Sequence, residues 1–205
     1  MSDKKLGMLI DLSLCIGCNA CAVACKQENG VPLTSFNTWV ESWDADDNGT
    51  IRRANVPKLC NHCADAPCVK VCPTGASYHA DDGTVQIDAE RCIGCKYCMA
   101  ACPYQARYQL DTGEVSKCTF CHHRSIKGML PACVATCVTR ARYFGDLNDP
   151  ESDIAKKLAE FKGEALYADL GLDPSVLYVG LSDTENMPIV SAVHRGGNVL
   201  KRYEG

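Results

Sequence analysis

Apolar residues occur along this chain in short segments, several of which have the length of short β-strands. The first such segment covers residues 7–12. Residues 76–79 and 84–88 flank Asp82 and Gly83, and this pair of turn residues predicts a β-hairpin. Three further strands are predicted at residues 106–110, 141–147 and 176–179, the last of them weak. We therefore expect short strands joined by long loops.

One amphipathic helix is predicted after residue 148. Asp149 and Pro150 form a favourable start, with proline at the first helical position, and Gly163 is expected to end the helix. The apolar residues that repeat on one face are Ile154, Leu158 and Phe161. The remaining C-terminal residues are expected to form an irregular extension that wraps its own domain or a neighbouring subunit.

Residues 26–59 form an insertion that contains both tryptophans, Trp39 and Trp43, and also Phe36. The sequence Asp-Asn-Gly at 47–49 predicts the tip of a hairpin. We interpret the tryptophans as covering a buried cofactor. The alternative is a docking surface for a partner protein.

Cysteine sets this sequence apart from ordinary globular chains. Sixteen of the 205 residues are cysteine, and they are included in the hydrophobic share of 46%, so the apolar core is small for the length. Disulfides, zinc or iron–sulfur clusters stabilise chains of this kind. The net charge is −4 and no block of basic residues occurs, which argues against nucleic-acid binding. The N-terminal segment has neither a signal-peptide core nor a twin-arginine pair, so we expect no export signal in this chain.

The cysteines divide into four quartets. The first and third have the spacing C-x2-C-x2-C-x3-C, the second C-x2-C-x4-C-x3-C and the fourth C-x2-C-x11-C-x3-C. In sequence order the quartets are Cys15, Cys18, Cys21 and Cys25; Cys60, Cys63, Cys68 and Cys72; Cys92, Cys95, Cys98 and Cys102; and Cys118, Cys121, Cys133 and Cys137. This repeat is typical of [4Fe–4S] proteins in which three cysteines bind one cluster and the fourth binds the cluster of a partner motif. Gly17 and Gly94 let backbone N–H groups approach cluster sulfurs.

Zinc and disulfides fit this spacing less well. Zinc usually binds two separated C-x-x-C pairs, and cysteines two residues apart in a triad cannot all form useful disulfides. A catalytic thiol would need an activating base. His62, His122 and His123 lie beside cysteines that are already assigned as ligands, so we interpret these histidines as structural or as residues that orient the ligands.

The four quartets resemble those of the iron–sulfur subunits of molybdopterin oxidoreductase complexes, which include polysulfide, thiosulfate, tetrathionate, dimethyl sulfoxide, arsenate and nitrate reductases and formate dehydrogenase. The resemblance covers residues 5–150 and looks closest to the polysulfide and thiosulfate reductase branch and to the iron–sulfur subunits of dimethyl sulfoxide reductases. The stretches that carry this likeness are DLSLCIGC at 11–18, CPTGASY at 72–78, KCTFC at 117–121 and FGDL at 144–147.

The resemblance implies an α+β fold with two ferredoxin-like dicluster units made of short strands, short helices and long loops, followed by a C-terminal extension. The units would be nested, because quartets one and four form an outer unit and quartets two and three an inner one. Residues 1–55 would be the first half of the outer unit, with the tryptophan-containing insertion, and residues 56–111 the inner unit. Residues 112–148 would be the second half of the outer unit, and residues 149–205 the C-terminal helix and tail.

The resemblance also implies four [4Fe–4S] clusters that use all sixteen cysteines as iron ligands. The ligand sets would be Cys15, Cys18, Cys21 and Cys137; Cys25, Cys118, Cys121 and Cys133; Cys60, Cys63, Cys68 and Cys102; and Cys72, Cys92, Cys95 and Cys98. Nitrate reductase relatives have tryptophan at the position of Cys95 and a three-iron cluster, so Cys95 predicts four irons here. Relatives usually have proline where this chain has Val138, a change that loosens a turn and removes no ligand.

The implied function is that of an electron-transfer subunit without a substrate site of its own. It would relay electrons through the four clusters between a molybdopterin catalytic subunit, at the first quartet, and a quinone-reactive integral membrane anchor, at the third. The process would be anaerobic respiration of a sulfur compound or a similar acceptor. Two alternatives stay open: a relay in a hydrogenase or formate dehydrogenase complex, and a structural or sensing iron–sulfur protein.

The resemblance places the protein at the cytoplasmic membrane as a peripheral protein. It would lie on the periplasmic face if it is exported with its catalytic partner, with the cytoplasmic face as the alternative. Clusters bound by four thiolates are anionic, and five lysines lie near ligand cysteines in sequence. These are Lys26, Lys58, Lys70, Lys96 and Lys117. We expect some of them to offset cluster charge, the alternative being a role in solubility.

Overall fold

The computed structural model describes residues 4–47, 50–184 and 187–192. Its strands are β1 Leu6–Asp11, β2 Thr38–Asp47, β3 Thr50–Leu59, β4 Ser77–His79, β5 Val85–Ile87, β6 Arg107–Gln109, β7 Val115–Lys117, β8 Arg142–Asp146, β9 Val176–Val179 and β10 Ile189–Ala192. Its α-helices are α1 Ala20–Asn29, α2 Pro67–Lys70, α3 Tyr97–Ala100, α4 His122–Ser125, α5 Ala132–Ala135 and α6 Asp153–Glu160. The predicted α+β class is confirmed.

Strand β1 is the centre of a three-stranded sheet with the order β8-β1-β9. All six of its residues are buried, and among them only Asp11 is charged. It pairs antiparallel with β8, with Met8 opposite Phe144, and parallel with β9, with Met8 opposite Val176. The sheet therefore joins the segment that precedes the first quartet to the segments that follow the fourth, and the predicted strands at 7–12, 141–147 and 176–179 are confirmed.

Two small hairpins follow the second and third quartets. Strands β4 and β5 pair antiparallel, as predicted from the turn at Asp82 and Gly83. Strands β6 and β7 form the equivalent hairpin after the third quartet. The sequence predicted β6 but not β7, which has only three residues and gains its partner across a turn.

The insertion forms a long antiparallel hairpin of β2 and β3. The predicted tip at 47–49 lies largely outside the described residues, which include only the backbone of Asp47. Strand β10 adds to the free edge of β2, so the expectation of an irregular C-terminal extension is wrong for residues 189–192. An unpaired strand edge offers backbone hydrogen bonds that a local pattern does not reveal.

The predicted helix is present but begins later. Ser152 is its N-cap, because its Oγ accepts the N–H of Ala155 at 3.2 Å. Asp149 instead accepts the N–H of Glu151 at 2.9 Å, which places Pro150 in the preceding turn. The helix ends at Glu160, before the predicted stop at Gly163. Phe161, which was predicted on the apolar face, has an extended backbone just after the helix and is 37% exposed.

Helix α6 packs against β8 through Ile154, which has no exposed surface. A Cβ at Gly145 would lie 3.1 Å from Ile154 Cγ2, so the helix and the strand are in close contact. Among the described residues, no helix combines the length and the apolar character needed to cross a membrane.

Candidate iron–sulfur centres

All sixteen cysteines lie within the described ranges and have free thiols. Most of them are buried or half-buried, and only Cys18 and Cys95 are exposed. Because they are gathered inside the fold without forming disulfides, the disulfide alternative does not account for them.

One buried cavity brings together cysteines of the first and fourth quartets. Its sulfur-bearing lining includes Cys25, Cys118, Cys121 and Cys133, and we call it the Cys25 cavity. Asn29 Nδ2 lies 3.5 Å from Sγ of both Cys25 and Cys121. Burial raises the pKa of Cys25 to about 12, with a further contribution from the neighbouring thiols of Cys133 and Cys121.

A second buried cavity brings together cysteines of the second and third quartets. It is lined by Cys60, Cys63, Cys68 and Cys102, and we call it the Cys60 cavity. Burial raises the pKa of Cys63 to about 12, and the other three thiols add to the effect. Thiols packed this closely without a cofactor repel one another when ionised, and bound iron removes this repulsion.

The cysteines outside the two cavities form two more groups, and all of them except Cys21 and Cys98 are half-buried or exposed. Burial raises the pKa of Cys15, and nearby Cys21 and Cys137 contribute. Burial likewise raises the pKa of Cys98, with a contribution from Cys72. The remaining cysteines of the first and third quartets lie in the adjoining loops, at Cys18, Cys92 and Cys95.

The backbone repeats one conformation at all four quartets. The residue before the second cysteine of each quartet has a left-handed φ, namely 70° at Gly17, 44° at His62, 68° at Gly94 and 53° at Phe120. Left-handed residues in such loops turn successive N–H groups towards one point and form an anion-binding concavity. Glycine fits this geometry without strain, whereas His62 and Phe120 adopt it in spite of their Cβ atoms.

A second backbone conformation is repeated after the second, third and fourth quartets. In each of them, the residue three positions after the last cysteine has a left-handed φ, at Gly75, Gln105 and Arg140. Backbone N–H groups then return to the sulfur, since Ser77 N donates to Cys72 Sγ at 3.4 Å and Ala141 N donates to Cys137 Sγ at 3.3 Å. Such bonds favour the thiolate and stabilise an anionic cluster.

Two buried arginines face the cysteines, and neither was identified from the sequence. Arg107 Nη2 donates to Cys68 Sγ at 2.9 Å and to Ser77 Oγ at 2.8 Å. Arg142 Nη2 donates to Cys21 Sγ at 3.4 Å and to Thr38 Oγ1 at 3.0 Å. A common signal was present, because each arginine lies five residues after the last cysteine of a quartet.

Each arginine interacts with cysteines that are assigned to different clusters of one unit. The charges of Cys133, Cys21 and Cys15 raise the pKa of Arg142 against the opposing effect of burial. The charges of Cys68, Cys60 and Cys98 likewise raise the pKa of Arg107 against the opposing effect of burial. The guanidinium groups therefore stay charged inside the protein.

The five lysines singled out from the sequence have different environments. Lys117 is 1% exposed, and its Nζ donates to the carbonyls of Val85 and, at 2.7 Å, of Cys118. Lys58 is buried and pairs with Glu41 at 3.3 Å. Lys70 and Lys96 are exposed. Half-buried Lys26 donates to the backbone carbonyls at 32, 33 and 35.

Both tryptophans bind the same carboxylate. Trp39 Nε1 donates to Glu41 Oε1 at 3.0 Å, and Trp43 Nε1 donates to Oε2 at 3.2 Å. Trp39 is buried, and Trp43 packs against the main core. These contacts anchor the insertion, and a role in covering a cluster stays a prediction.

The histidines beside cysteines also differ from one another. His62 is fully buried, and its Nδ1 accepts the N–H of Val85 at 3.0 Å. Burial, followed by the charges of Lys117 and Arg107, holds the pKa of His62 well below its usual value. His123 forms a surface ion pair with Glu28 at 2.8 Å.

The cavities fit an anionic [4Fe–4S] cluster. Each cavity is lined by four thiols. In the Cys60 cavity, Arg107 also presents two buried donors, Nε and Nη1, that have no hydrogen-bond partner in the protein. No three Cys, His, Asp or Glu side chains in the described ranges converge as ligands of a single metal ion. The four thiolates of a cubane lie further apart than ligands of one ion, since each binds a different iron.

Comparisons with known proteins identify the same cofactor. Two family models, both described as 4Fe-4S dicluster domains, match residues 14–76 and 51–147. A tetrathionate reductase subunit of Salmonella typhimurium is 44% identical, over 91% of this chain and 76% of the relative. A polysulfide reductase chain of Wolinella succinogenes is also 44% identical, over 86% of this chain and 94% of the relative. A putative dimethyl sulfoxide reductase iron-sulfur subunit of Halobacterium salinarum is 42% identical, over 84% of this chain and 78% of the relative.

Proposed function

Since this protein belongs to the family of reductase iron–sulfur subunits with 4Fe-4S dicluster domains, we propose that it is the electron-transfer subunit of a molybdopterin reductase complex. It holds four [4Fe–4S] clusters and has no substrate site of its own. It relays electrons between a molybdopterin catalytic subunit and a quinone-reactive membrane anchor. The observation that carries the proposal is the pair of buried cavities, each lined by one complete set of four cysteines.

The ligand sets in this proposal are those of the nested arrangement. The Cys25 cavity holds one cluster and the Cys60 cavity another. The two outer clusters bind Cys15, Cys18, Cys21 and Cys137 at one end, and Cys72, Cys92, Cys95 and Cys98 at the other. A C-x3-C spacing supports this division, because Cys21 and Cys25 lie one helical turn apart on α1 and can each bind a neighbouring cluster.

Exposed apolar residues at both ends support docking of two partners. Ile16 lies in the first quartet and is 63% exposed, and Ile93 lies at the equivalent position of the third quartet and is 68% exposed. Exposed Val23 and Tyr97 lie nearby in the sequence. We assign the Ile16 end to the catalytic subunit and the Ile93 end to the membrane anchor, with the protein on the periplasmic face after export with its partner.

The names of the relatives support the proposed class of reaction. Those names include tetrathionate, polysulfide and dimethyl sulfoxide reductases. The proposed complex therefore takes part in anaerobic respiration of a sulfur compound or a similar acceptor.

The test is purification of the native complex through this protein under anaerobic conditions. Mass spectrometry and metal analysis should find a large molybdenum-containing polypeptide and an integral membrane polypeptide. A nickel- and iron-containing catalytic polypeptide would instead indicate a hydrogenase complex. Isolation of this protein alone from intact membranes, with all its iron, would contradict the proposal.

Two matched variants test the orientation. Ile16→Glu should weaken retention of the molybdenum-containing polypeptide and spare the membrane polypeptide, whereas Ile93→Glu should do the reverse. Both side chains are exposed, so neither change should affect folding. The assigned orientation is wrong if both variants retain both polypeptides. It is also wrong if Ile16→Glu loses the membrane polypeptide and Ile93→Glu loses the molybdenum-containing one.

A further inference from the structure

The two central cavities belong to different dicluster units in the proposed arrangement. Electrons that pass from one end of the protein to the other must cross between these units. The residues that separate the Cys25 cavity from the Cys60 cavity therefore determine how quickly the two halves of the relay exchange electrons.

Two aromatic rings make direct contact at this crossing. His62 lies between Cys60 and Cys63 and lines the Cys60 cavity. Phe120 lies between Cys118 and Cys121 and lines the Cys25 cavity. The two rings are stacked, with their centroids 3.8 Å apart and their planes 25° from parallel.

Both rings are shielded from solvent and held in position. His62 is 0% exposed and Phe120 is 1% exposed. Both residues have left-handed backbones, so each ring occupies a position that glycine takes in the first and third quartets. Glycine would relieve backbone strain at either position, and the rings are present in spite of that strain.

Strand β5 fixes the two ligand loops against each other. Val85 N donates to His62 Nδ1 at 3.0 Å, and Val85 O accepts from Lys117 Nζ. The same Nζ donates to Cys118 O at 2.7 Å. Gln86 Nε2 donates to Thr119 O at 3.2 Å. One strand thus holds both loops, and the distance between the stacked rings is set by a buried hydrogen-bond network.

We propose that the stacked pair of His62 and Phe120 is the contact through which electrons cross between the two dicluster units, a role that rests on the proposed four-cluster relay. One electron leaves the cluster in one cavity and enters the cluster in the other, so one cluster is oxidised as the other is reduced. The rings keep their own redox state and no proton moves. Their packing fills the space between the loops, and tunnelling through packed atoms is faster than across a gap.

His62 and Phe120 are positioning residues in this scheme, and variants that remove one ring at a time test it. Phe120→Leu keeps an apolar side chain and removes the ring. His62→Asn removes the other ring and keeps an acceptor for Val85 N, and asparagine tolerates the left-handed backbone. Phe144→Leu is the matched control, because Phe144 meets Phe120 edge-on, with centroids 5.3 Å apart, and takes no part in the stack.

The full-length protein, loaded anaerobically with iron and sulfide, is analysed in three steps. Iron and sulfide content and EPR-monitored potentials are measured first. Pulse radiolysis then delivers less than one electron per protein molecule, and freeze-quench EPR follows its redistribution among the clusters. We expect content and potentials to be unchanged in all variants, with redistribution several-fold slower in Phe120→Leu and His62→Asn and normal in Phe144→Leu.

Two results would overturn this role for the stacked pair. One is redistribution at the unmodified rate in both ring-removing variants. The other is loss of iron from both of these variants, but not from Phe144→Leu, which would make the stack a structural contact only. Fewer than four clusters in the unmodified protein would refute the proposed function instead, before any variant is compared.

Discussion

Replacement of Arg107 by methionine should lower the reduction potential of the cluster in the Cys60 cavity. Methionine has a similar length and no charge, so the packing is largely kept. Arg107 is 5% exposed, and its Nη2 lies 2.9 Å from Cys68 Sγ. A reduced cluster carries one more negative charge than an oxidised one, and the nearby cation stabilises the reduced form.

The size of the shift follows from the distance. The added electron is spread over the cluster, so we take about twice the 2.9 Å separation, ~6 Å, as the distance between charges. At ~6 Å, in an effective dielectric constant of about 20, a unit positive charge stabilises the added electron by ~3 kcal/mol. For a one-electron couple this corresponds to a potential that is lower by about 120 mV.

The assay is an EPR-monitored redox titration of the iron-loaded protein. Arg107→Lys keeps the charge and should shift the potential less. Lys70→Met removes a charge that is also close to Cys68 in sequence, but this side chain is 64% exposed and screened by solvent, so it should have little effect. If Arg107→Met changed the potentials no more than Lys70→Met does, or if it raised them, the assigned role of Arg107 would be wrong.

Three further predictions concern assembly and stability. Cys102→Ser should alter the EPR signal of the cluster in the Cys60 cavity and spare the cluster assigned to Cys92, Cys95 and Cys98; the reverse pattern would contradict the nested pairing. Removal of iron by a chelator should unfold most of residues 10–145, because folding is coupled to cluster binding; circular dichroism and hydrogen exchange test this, and a native apo fold would refute it. Ser152→Ala should lower the free energy of unfolding by about 1 kcal/mol through loss of the N-cap, as measured by denaturant titration of the loaded protein. An unchanged midpoint would show that another group caps the helix.

Local patterns predicted the parts of the fold that depend on nearby residues. The hairpin at Asp82 and Gly83 and the buried strand β1 are fixed by turn chemistry and by apolar runs. The role given to Gly17 and Gly94 also followed from local sequence, and both have left-handed backbones. The same conformation at His62 and Phe120 was not predicted, because these residue types do not signal it.

Contacts between distant residues were harder to predict. Strand β10 pairs with β2 across more than a hundred residues, and its own sequence has no strong strand pattern. Arg107 and Arg142 look like ordinary surface residues until the sheet and hairpins bury them against Cys68 and Cys21. The start of α6 was misplaced because Ser152 and Asp149 are both good caps, and only the packed structure decides between them.

The most direct test of the four-cluster assignment is the iron and sulfide content of the full-length protein, combined with Mössbauer and EPR spectroscopy. Sixteen cysteines in four sets should bind about 16 iron atoms and about 16 sulfides per protein molecule, all in four-iron clusters. The third quartet has cysteine at position 95, so no three-iron signal is expected from the freshly loaded protein. A fully loaded anaerobic sample with about half this iron, or with zinc in its place, would contradict the presence of four [4Fe–4S] clusters.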